Sequence, residues 1–294
     1  MSTPHFERVA IIGIGLIGSS LARIIKRDKL ASEIVAVAKR PETLEKARAL
    51  NLADRYTLDP VEAARGADLV VLATPLSAYA DIVRRIADVL RPGAIVTDVG
   101  SVKQAVVREL KPLLPAGVHL VPGHPVAGTE FSGPEAGFAE LFEDRWCILT
   151  PTAGTPQAPL EKVTRLWQAA GMKVVNMDPA HHDKVLAITS HLPHLIAYTI
   201  VGTATDLEAA LQSEVVKFSA GGFRDFTRIA ASDPVMWRDV FLANREAVLE
   251  MLQRFTEDLT ELQRAIRRGE GDKLEALFTR TRAIRRSIVD AKQA

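Results

Sequence analysis

The 294-residue chain contains a single cysteine, Cys147. One thiol can neither close an intramolecular disulfide nor supply a Cys-rich zinc cluster, so nothing in the sequence asks for an oxidising compartment. Excess charge of either sign is also missing. Thirty-seven Lys and Arg stand against 36 Asp and Glu, a formal charge of +1, which leaves no global field to draw the chain onto nucleic acid or an anionic membrane. The N-terminal residues, Met1 to Arg8, lack the basic and apolar regions of a signal peptide, and a cytoplasmic location is expected. The most apolar stretch, Val185 to Thr205, carries His191, Pro193 and His194. These would be costly in the middle of an isolated membrane span, so a buried helix of a soluble protein is expected, with no membrane partner. No repeat of fixed period and no low-complexity tract is found.

What is present is the composition of a folded protein, 47% hydrophobic and 25% charged residues, in a chain long enough for two domains. Val9-Ala10-Ile11-Ile12, Ile34 to Ala38, Leu69 to Ala73 and Ala94 to Thr97 are unbroken apolar runs, as strands covered on both faces must be. Helical patterns lie between them at about 16–27, 42–50 and 77–90, the last closed by Pro92-Gly93. Asp59-Pro60-Val61-Glu62 reads as a further helix start, and a short strand is expected at His119 to Val121. This rhythm predicts a doubly wound parallel sheet. After a breaker-rich joint at Pro151 to Pro156, one more helix, 159–170, and strand, Met172 to Asn176, are expected. Strand signals then stop, and helices are expected at roughly 181–206, 208–219, 234–267 and 271–292. The chain thus divides into an α/β domain over 1–178 and an all-α domain over 179–294. Wide apolar faces on the last helices, with Val240, Leu242, Val248, Leu249, Leu252 and Phe255, predict a homodimer through the helical domain.

Gly13-Ile14-Gly15-Leu16-Ile17-Gly18 follows the first strand directly and opens a helix. In that context the first glycine makes the turn, the second lets the backbone approach a pyrophosphate, and the third lets helix and strand pack closely, which is the Rossmann-type dinucleotide fingerprint. The second strand ends at Ala38-Lys39-Arg40, without the carboxylate that would hold the ribose hydroxyls of NAD. Two cations suit the 2′-phosphate of NADP, so NADP is favoured and NAD remains open. Thr74-Pro75 and Asp98-Val99-Gly100-Ser101-Val102-Lys103 follow two further strands at the edge where such sheets bind ligands. Ser101 also reads as the cap of a helix, through Ser101-Val102-Lys103-Gln104. Six of the seven histidines fall between 119 and 194, and His124 sits in Pro122 to Glu130, a segment whose glycines and prolines predict a loop. A histidine there suits a catalytic base. Cys147 reads as buried and inert, and Trp237 as core. No metal site is predicted, since Pro193 separates His191 from His194 and no third ligand is spaced nearby.

Taken in order, these motifs, together with His181-His182-Asp183, Ser190-His191-Leu192-Pro193-His194 and Gly221 to Ala230, resemble the prephenate/arogenate dehydrogenase family of tyrosine biosynthesis, from about residue 8 to 290. The resemblance implies oxidative decarboxylation of prephenate to 4-hydroxyphenylpyruvate, or of arogenate to tyrosine, with NAD(P)+ taking the hydride. It implies His124 as the base, Ser101 as a group that hydrogen-bonds the same hydroxyl or orients His124, and Arg228 as the fork for a substrate carboxylate. His182, Ser190 and His191 match positions lining the pocket, and Glu130 matches a carboxylate that gates or tunes it. A β-hydroxyacid dehydrogenase would carry a catalytic lysine in a G-x-x-G-x-x-x-K helix, absent between 178 and 222. A sensor that binds a dinucleotide without turnover would need none of His124, Ser101 and Arg228.

Overall fold

The computed structural model describes residues 5–206, 214, 217–218 and 221–290. Six strands, β1 (Phe6–Ile12), β2 (Ala31–Val37), β3 (Arg55–Thr57), β4 (Leu69–Leu72), β5 (Ile95–Asp98) and β6 (His119–Val121), form a parallel sheet in the order β3-β2-β1-β4-β5-β6. Helices α1 (Leu16–Arg27), α2 (Pro41–Ala49), α3 (Pro60–Ala64), α4 (Tyr79–Ile86), α5 (Gln104–Leu110) and α6 (Gln157–Ala169) cover it. Side chains alternate between two cores. Val9, Ile11, Leu69 and Val71 pack with Leu21, Ile24 and Ile25 of α1 and with Val163 and Leu166 of α6. Ala10, Ile12, Val70 and Leu72 pack with Ala63, Val83, Ile86 and Leu110. Because both faces are covered, each inner strand reads as an apolar run, and each buried Leu, Ile or Val stabilises the fold by roughly 1.5–3 kcal/mol. Strand β3, absent from the sequence reading, is a three-residue polar edge with no such run.

A second sheet, β7 (Gly123–Pro125), β8 (Trp146–Leu149) and β9 (Lys173–Asn176), pairs β7 antiparallel and β9 parallel to the middle strand. The expected loop at His124 is therefore a strand. Its proline is admitted because β7 lies at the sheet edge.

Beyond Asn176 the described residues are helical. Asp178 caps α7 (Pro179–Leu186) by accepting the N–H groups of Ala180 and His181. A π turn over Ala187–His191 joins it to α8 (Leu192–Thr205). Pro193 lacks an N–H, and its ring would strike the carbonyl four residues back in a regular helix; the wider turn relieves both. By length and composition Pro179–Thr205 could cross a membrane, yet it carries His182, Asp183 and His191 into the protein interior. Helix Gly221–Thr227 and a 3₁₀ turn, Arg228–Ala231, follow, while the helix expected at 208–219 falls almost wholly outside the described residues. The single helix expected over 234–267 is two, Pro234–Ala243 and Arg245–Arg268, broken at Asn244; Gly271–Asp290 is the last.

The chain divides into two compact units, Met1–Arg245 and Glu246–Ala294. Residue 178 thus marks the change from strands to helices, whereas packing carries the first unit on to Arg245. In the second unit Leu249, Leu259, Ile266, Phe278 and Ile284 are exposed.

Candidate active site

The sheet order reverses between β1 and β4, which opens a crevice at their carboxyl ends. Gly13 turns the chain out of β1 at φ +104°, and a Cβ there would lie 2.4 Å from the Ala73 carbonyl oxygen. At Gly18 a Cβ would lie 2.0 Å from the Gly13 carbonyl oxygen, so helix and turn meet only through glycine. Gly15, by contrast, has nothing within 4 Å of its Cβ position, and as N-cap of α1 it offers no side-chain acceptor to the first amides. Open space before uncapped helix amides is a phosphate cradle, and Leu16 and Ile17 supply its next N–H groups. The residues present therefore fit a dinucleotide. Ala38 is buried while Lys39 and Arg40 are exposed beyond β2; Thr74 is half-buried and Pro75 exposed beyond β4.

Strands β5 and β7 bring the acid–base residues to the same edge. His124 Nδ1 lies 2.9 Å from Nε2 of His182, and His182 Nδ1 lies 2.8 Å from Oδ1 of Asp183. The Asp183 carboxylate also accepts the N–H groups of Lys103 at 2.8 Å and Gln104 at 2.9 Å. An ionised carboxylate only accepts, so the His182 proton sits on Nδ1 and its Nε2 is an acceptor. His124 must then carry its proton on Nδ1, which leaves the lone pair on Nε2. Burial holds His124 well below the usual histidine pKa, and positive charge on His182, Lys103 or His191 pushes the same way. Burial also lowers His182, although Asp183 opposes it. The pair is neutral at neutral pH, as a base requires.

His191 is buried beside this relay. The Asn244 amide donates to its Nδ1 at 3.0 Å and to the Asp183 carbonyl at 2.8 Å. Burial takes the ring to about 4, although Asp183 favours its charge. Its Nε2 is a buried donor without a hydrogen-bond partner among the described residues, though the Ser101 backbone lies close to the ring. A nitrogen held no more firmly than this is free to donate to an acceptor that arrives.

Ser101 lies half-buried in the turn after β5, but it does not cap α5. The helix starts at Gln104, and the Asp183 carboxylate takes over the amides that a capping serine would have served. Ser190 is half-buried, with its carbonyl accepting from His194 Nδ1 at 2.9 Å. The His194 ring stacks on Trp237 at 3.6 Å, so this core tryptophan also walls the site. Arg228 is exposed, lies near enough to His194 to disfavour its charge, and bonds Glu130 at 3.2 Å. Arg224 faces solvent. Cys147 is buried, and burial pushes its thiol pKa up. Among the described residues no three of His, Cys, Asp and Glu are arranged to hold a metal ion.

Asp98, Lys103, Asp183 and Asn244 were not singled out by sequence. The first three stand inside motifs of interest, but nothing in their spacing marks them as buried. Asn244 leaves one signal, a small polar residue interrupting an apolar helical pattern.

Residues 21–176 match the family described as prephenate dehydrogenase, nucleotide-binding domain, and residues 178–280 its dimerization domain. A cyclohexadienyl dehydrogenase of Zymomonas mobilis is 42% identical over 96% of both chains. A prephenate dehydrogenase of Bacillus subtilis is 32% identical over 92% of this chain and 73% of its own. Among solved structures, prephenate dehydrogenase from Aquifex aeolicus in complex with hydroxyphenyl propionate and NAD+ superposes with a TM-score of 0.89 at 35% identity, covering 98% of this chain and 99% of that one. Synechocystis arogenate dehydrogenase superposes with a TM-score of 0.78 at 28% identity, covering 95% and 98%. With both halves matched in order, the chain belongs to the prephenate dehydrogenase family.

Proposed function

We propose that the chain catalyses oxidative decarboxylation of prephenate, arogenate or both, and that His124 is its base. The observation that carries this reading is the chain of hydrogen bonds from Asp183 through His182 to His124 Nδ1, which leaves Nε2 of His124 as the free nitrogen. The bound nicotinamide supplies the hydride acceptor. His124 Nε2 takes the proton of the ring hydroxyl as hydride leaves the same carbon. The ring carboxylate departs as CO2, its electron pair passes through the ring to the former hydroxyl oxygen, and the imidazolium returns its proton there. Ser101 orients the reacting hydroxyl. Arg228 takes a substrate carboxylate once Glu130 releases it, and His191 Nε2 offers a buried donor to a substrate oxygen. His182 positions His124, and Ser190 lines the pocket through the turn that carries His191.

The glycine turn with Leu16 and Ile17, together with Thr74 and Pro75, holds the cofactor. We assign Lys39 and Arg40 to the 2′-phosphate of NADP, in preference to NAD, because both are exposed and no carboxylate stands at 38–40. The domain division at 178 is retained as the functional one, with 179–294 forming the substrate and dimerisation part, and the exposed apolar residues of the second unit are the expected homodimer surface.

The test is a steady-state assay of the purified protein with each substrate and each cofactor. Reduction of NAD(P)+ that depends on prephenate or arogenate is expected. Folded protein that turns over neither substrate with either cofactor overturns the reading.

A further inference from the structure

The proton relay leaves one buried ion pair without a role. Lys103 and Asp98 are both fully buried, and the Lys103 ammonium donates to the Asp98 carboxylate and, at 2.6 Å, to the Gly123 carbonyl. Asp98 in return accepts the N–H of Gly123 at 3.2 Å and that of Gly100 at 2.8 Å. Both backbone polar groups of Gly123, the residue before His124, are therefore gripped by a single pair of opposite charges. The approach is tight, since a Cβ at Gly123 would lie 3.1 Å from the Leu149 side chain and 3.2 Å from the Asp98 carbonyl. The other end of the relay is held from the same turn, where the backbone N–H groups of Lys103 and Gln104 fix Asp183.

Charge pairing by itself does not account for this arrangement. Taking an ammonium and a carboxylate out of water costs several kcal/mol per ion, and an apolar pair of similar volume commonly serves a core as well or better. What an apolar pair could not do is bond a backbone N–H and the C=O of the same residue. We propose that Asp98 and Lys103 are positioning residues for the histidine relay: from one turn, residues 98–104, they fix His124 through Gly123 while the turn's own amides fix His182 through Asp183.

The same pair acts on His124 through its charge. Facing that imidazole are Lys103 from the turn and His182 and His191 from the helical segment, while the Cys147 thiol of β8 meets the His124 backbone. Burial is the largest influence on the ring, and the Lys103 ammonium, although burial lowers its own pKa, pushes the same way after His182 and so helps to keep the base unprotonated. Removing both charges leaves burial and raises the pH at which His124 protonates.

The inference rests on the proposed oxidation for its kinetic readout alone. The experiment is the double variant Asp98→Leu/Lys103→Met, which leaves no orphan charge, studied beside the unmodified protein. Melting temperature should fall, because the variant leaves the N–H groups of Gly123 and Gly100 and the Gly123 carbonyl without these partners, while cofactor affinity should stay near that of the parent. Misplacement of the base by about 1 Å should lower kcat by about 100-fold while changing substrate KM only a few-fold. The His124 imidazole, followed by nitrogen NMR, should protonate at higher pH than in the parent. A folded double variant with parental kcat and an unchanged His124 titration overturns the proposal. Should the variant fail to fold, amide hydrogen exchange in the unmodified protein decides: Gly123, Lys103 and Gln104 should exchange only with global unfolding, and exchange at the rate of a fraying loop overturns the proposal. If the unmodified protein turns over no substrate, the oxidation falls instead, and titration and exchange still judge the clamp.

Discussion

A neutral imidazole is a useful base only if its free nitrogen faces the proton to be taken, and here that choice is made two residues away. Asp183 can only accept, so it dictates the His182 tautomer, which dictates that of His124. His124→Asn should therefore lower kcat by roughly two to four orders of magnitude while cofactor affinity stays near the parental value, measured by steady-state kinetics and cofactor titration. A small change in kcat would remove His124 from the base role. Arg228 answers differently. It is exposed and already paired with Glu130, and a carboxylate fork acts in ground and transition states alike. Arg228→Ala should thus raise substrate KM by ten-fold or more with a lesser effect on kcat. A loss confined to kcat would assign it to the transition state.

Elements differ in how plainly they announce themselves. The strands β1, β2, β4 and β5 were legible because two apolar cores meet on them, and the glycine turn because Gly13 and Gly18 admit little else while Gly15 leaves open space before the helix. β7 was not legible: Gly123-His124-Pro125 has loop composition, and it becomes a strand only because β8 arrives from more than twenty residues away to pair with it. Nor was the start of α5. Ser101 has the local pattern of a cap, yet a carboxylate eighty residues distant in sequence takes the amides. His124, Ser101 and Arg228 were visible as chemistry on exposed or loop-like segments, whereas Asp98, Lys103 and Asn244 owe their roles to burial, which has no local signature. The end of β2 is legible in the same local way and supports a prediction. Lys39 and Arg40 should give a higher kcat/KM with NADP+ than with NAD+, by an amount that shrinks as salt rises. Replacing Ala38 by Asp and Arg40 by Asn should reverse the order, because a carboxylate there repels the 2′-phosphate. A clear NAD+ preference in the unmodified protein defeats the assignment.

At the scale of the whole molecule the buried histidines tie catalysis to stability. His124, His182 and His191 are all held below the usual value of about 6.5 by burial, His191 to about 4. In the unfolded chain each takes a proton as pH falls through about 6.5, while the folded protein does not, so across this window the unfolded state binds more protons. Stability should be full above about 6.5 and fall as pH drops from there toward about 4, where the folded His191 ring also protonates. For a shift of this size that one ring accounts for on the order of 3 kcal/mol. Asp98 works the other way: burial raises its carboxyl, so above its ordinary value the folded state holds the extra proton, and this offsets part of the loss. Burial lowers the His194 ring as well, so four rings act against this one carboxyl, and a net acid sensitivity is expected well above the pH at which most carboxylates protonate. Thermal melts at pH 8, 6.5, 5.5 and 4.5 should show little change over the first step and a steepening fall in Tm thereafter. His191→Asn, which keeps a polar side chain at that position but removes the titration, should flatten the fall. A Tm that stays level from 6.5 to 4.5 in both the parent and His191→Asn would mean that the rings are protonated, or reached by water, in the folded protein, and the neutral relay could not then stand.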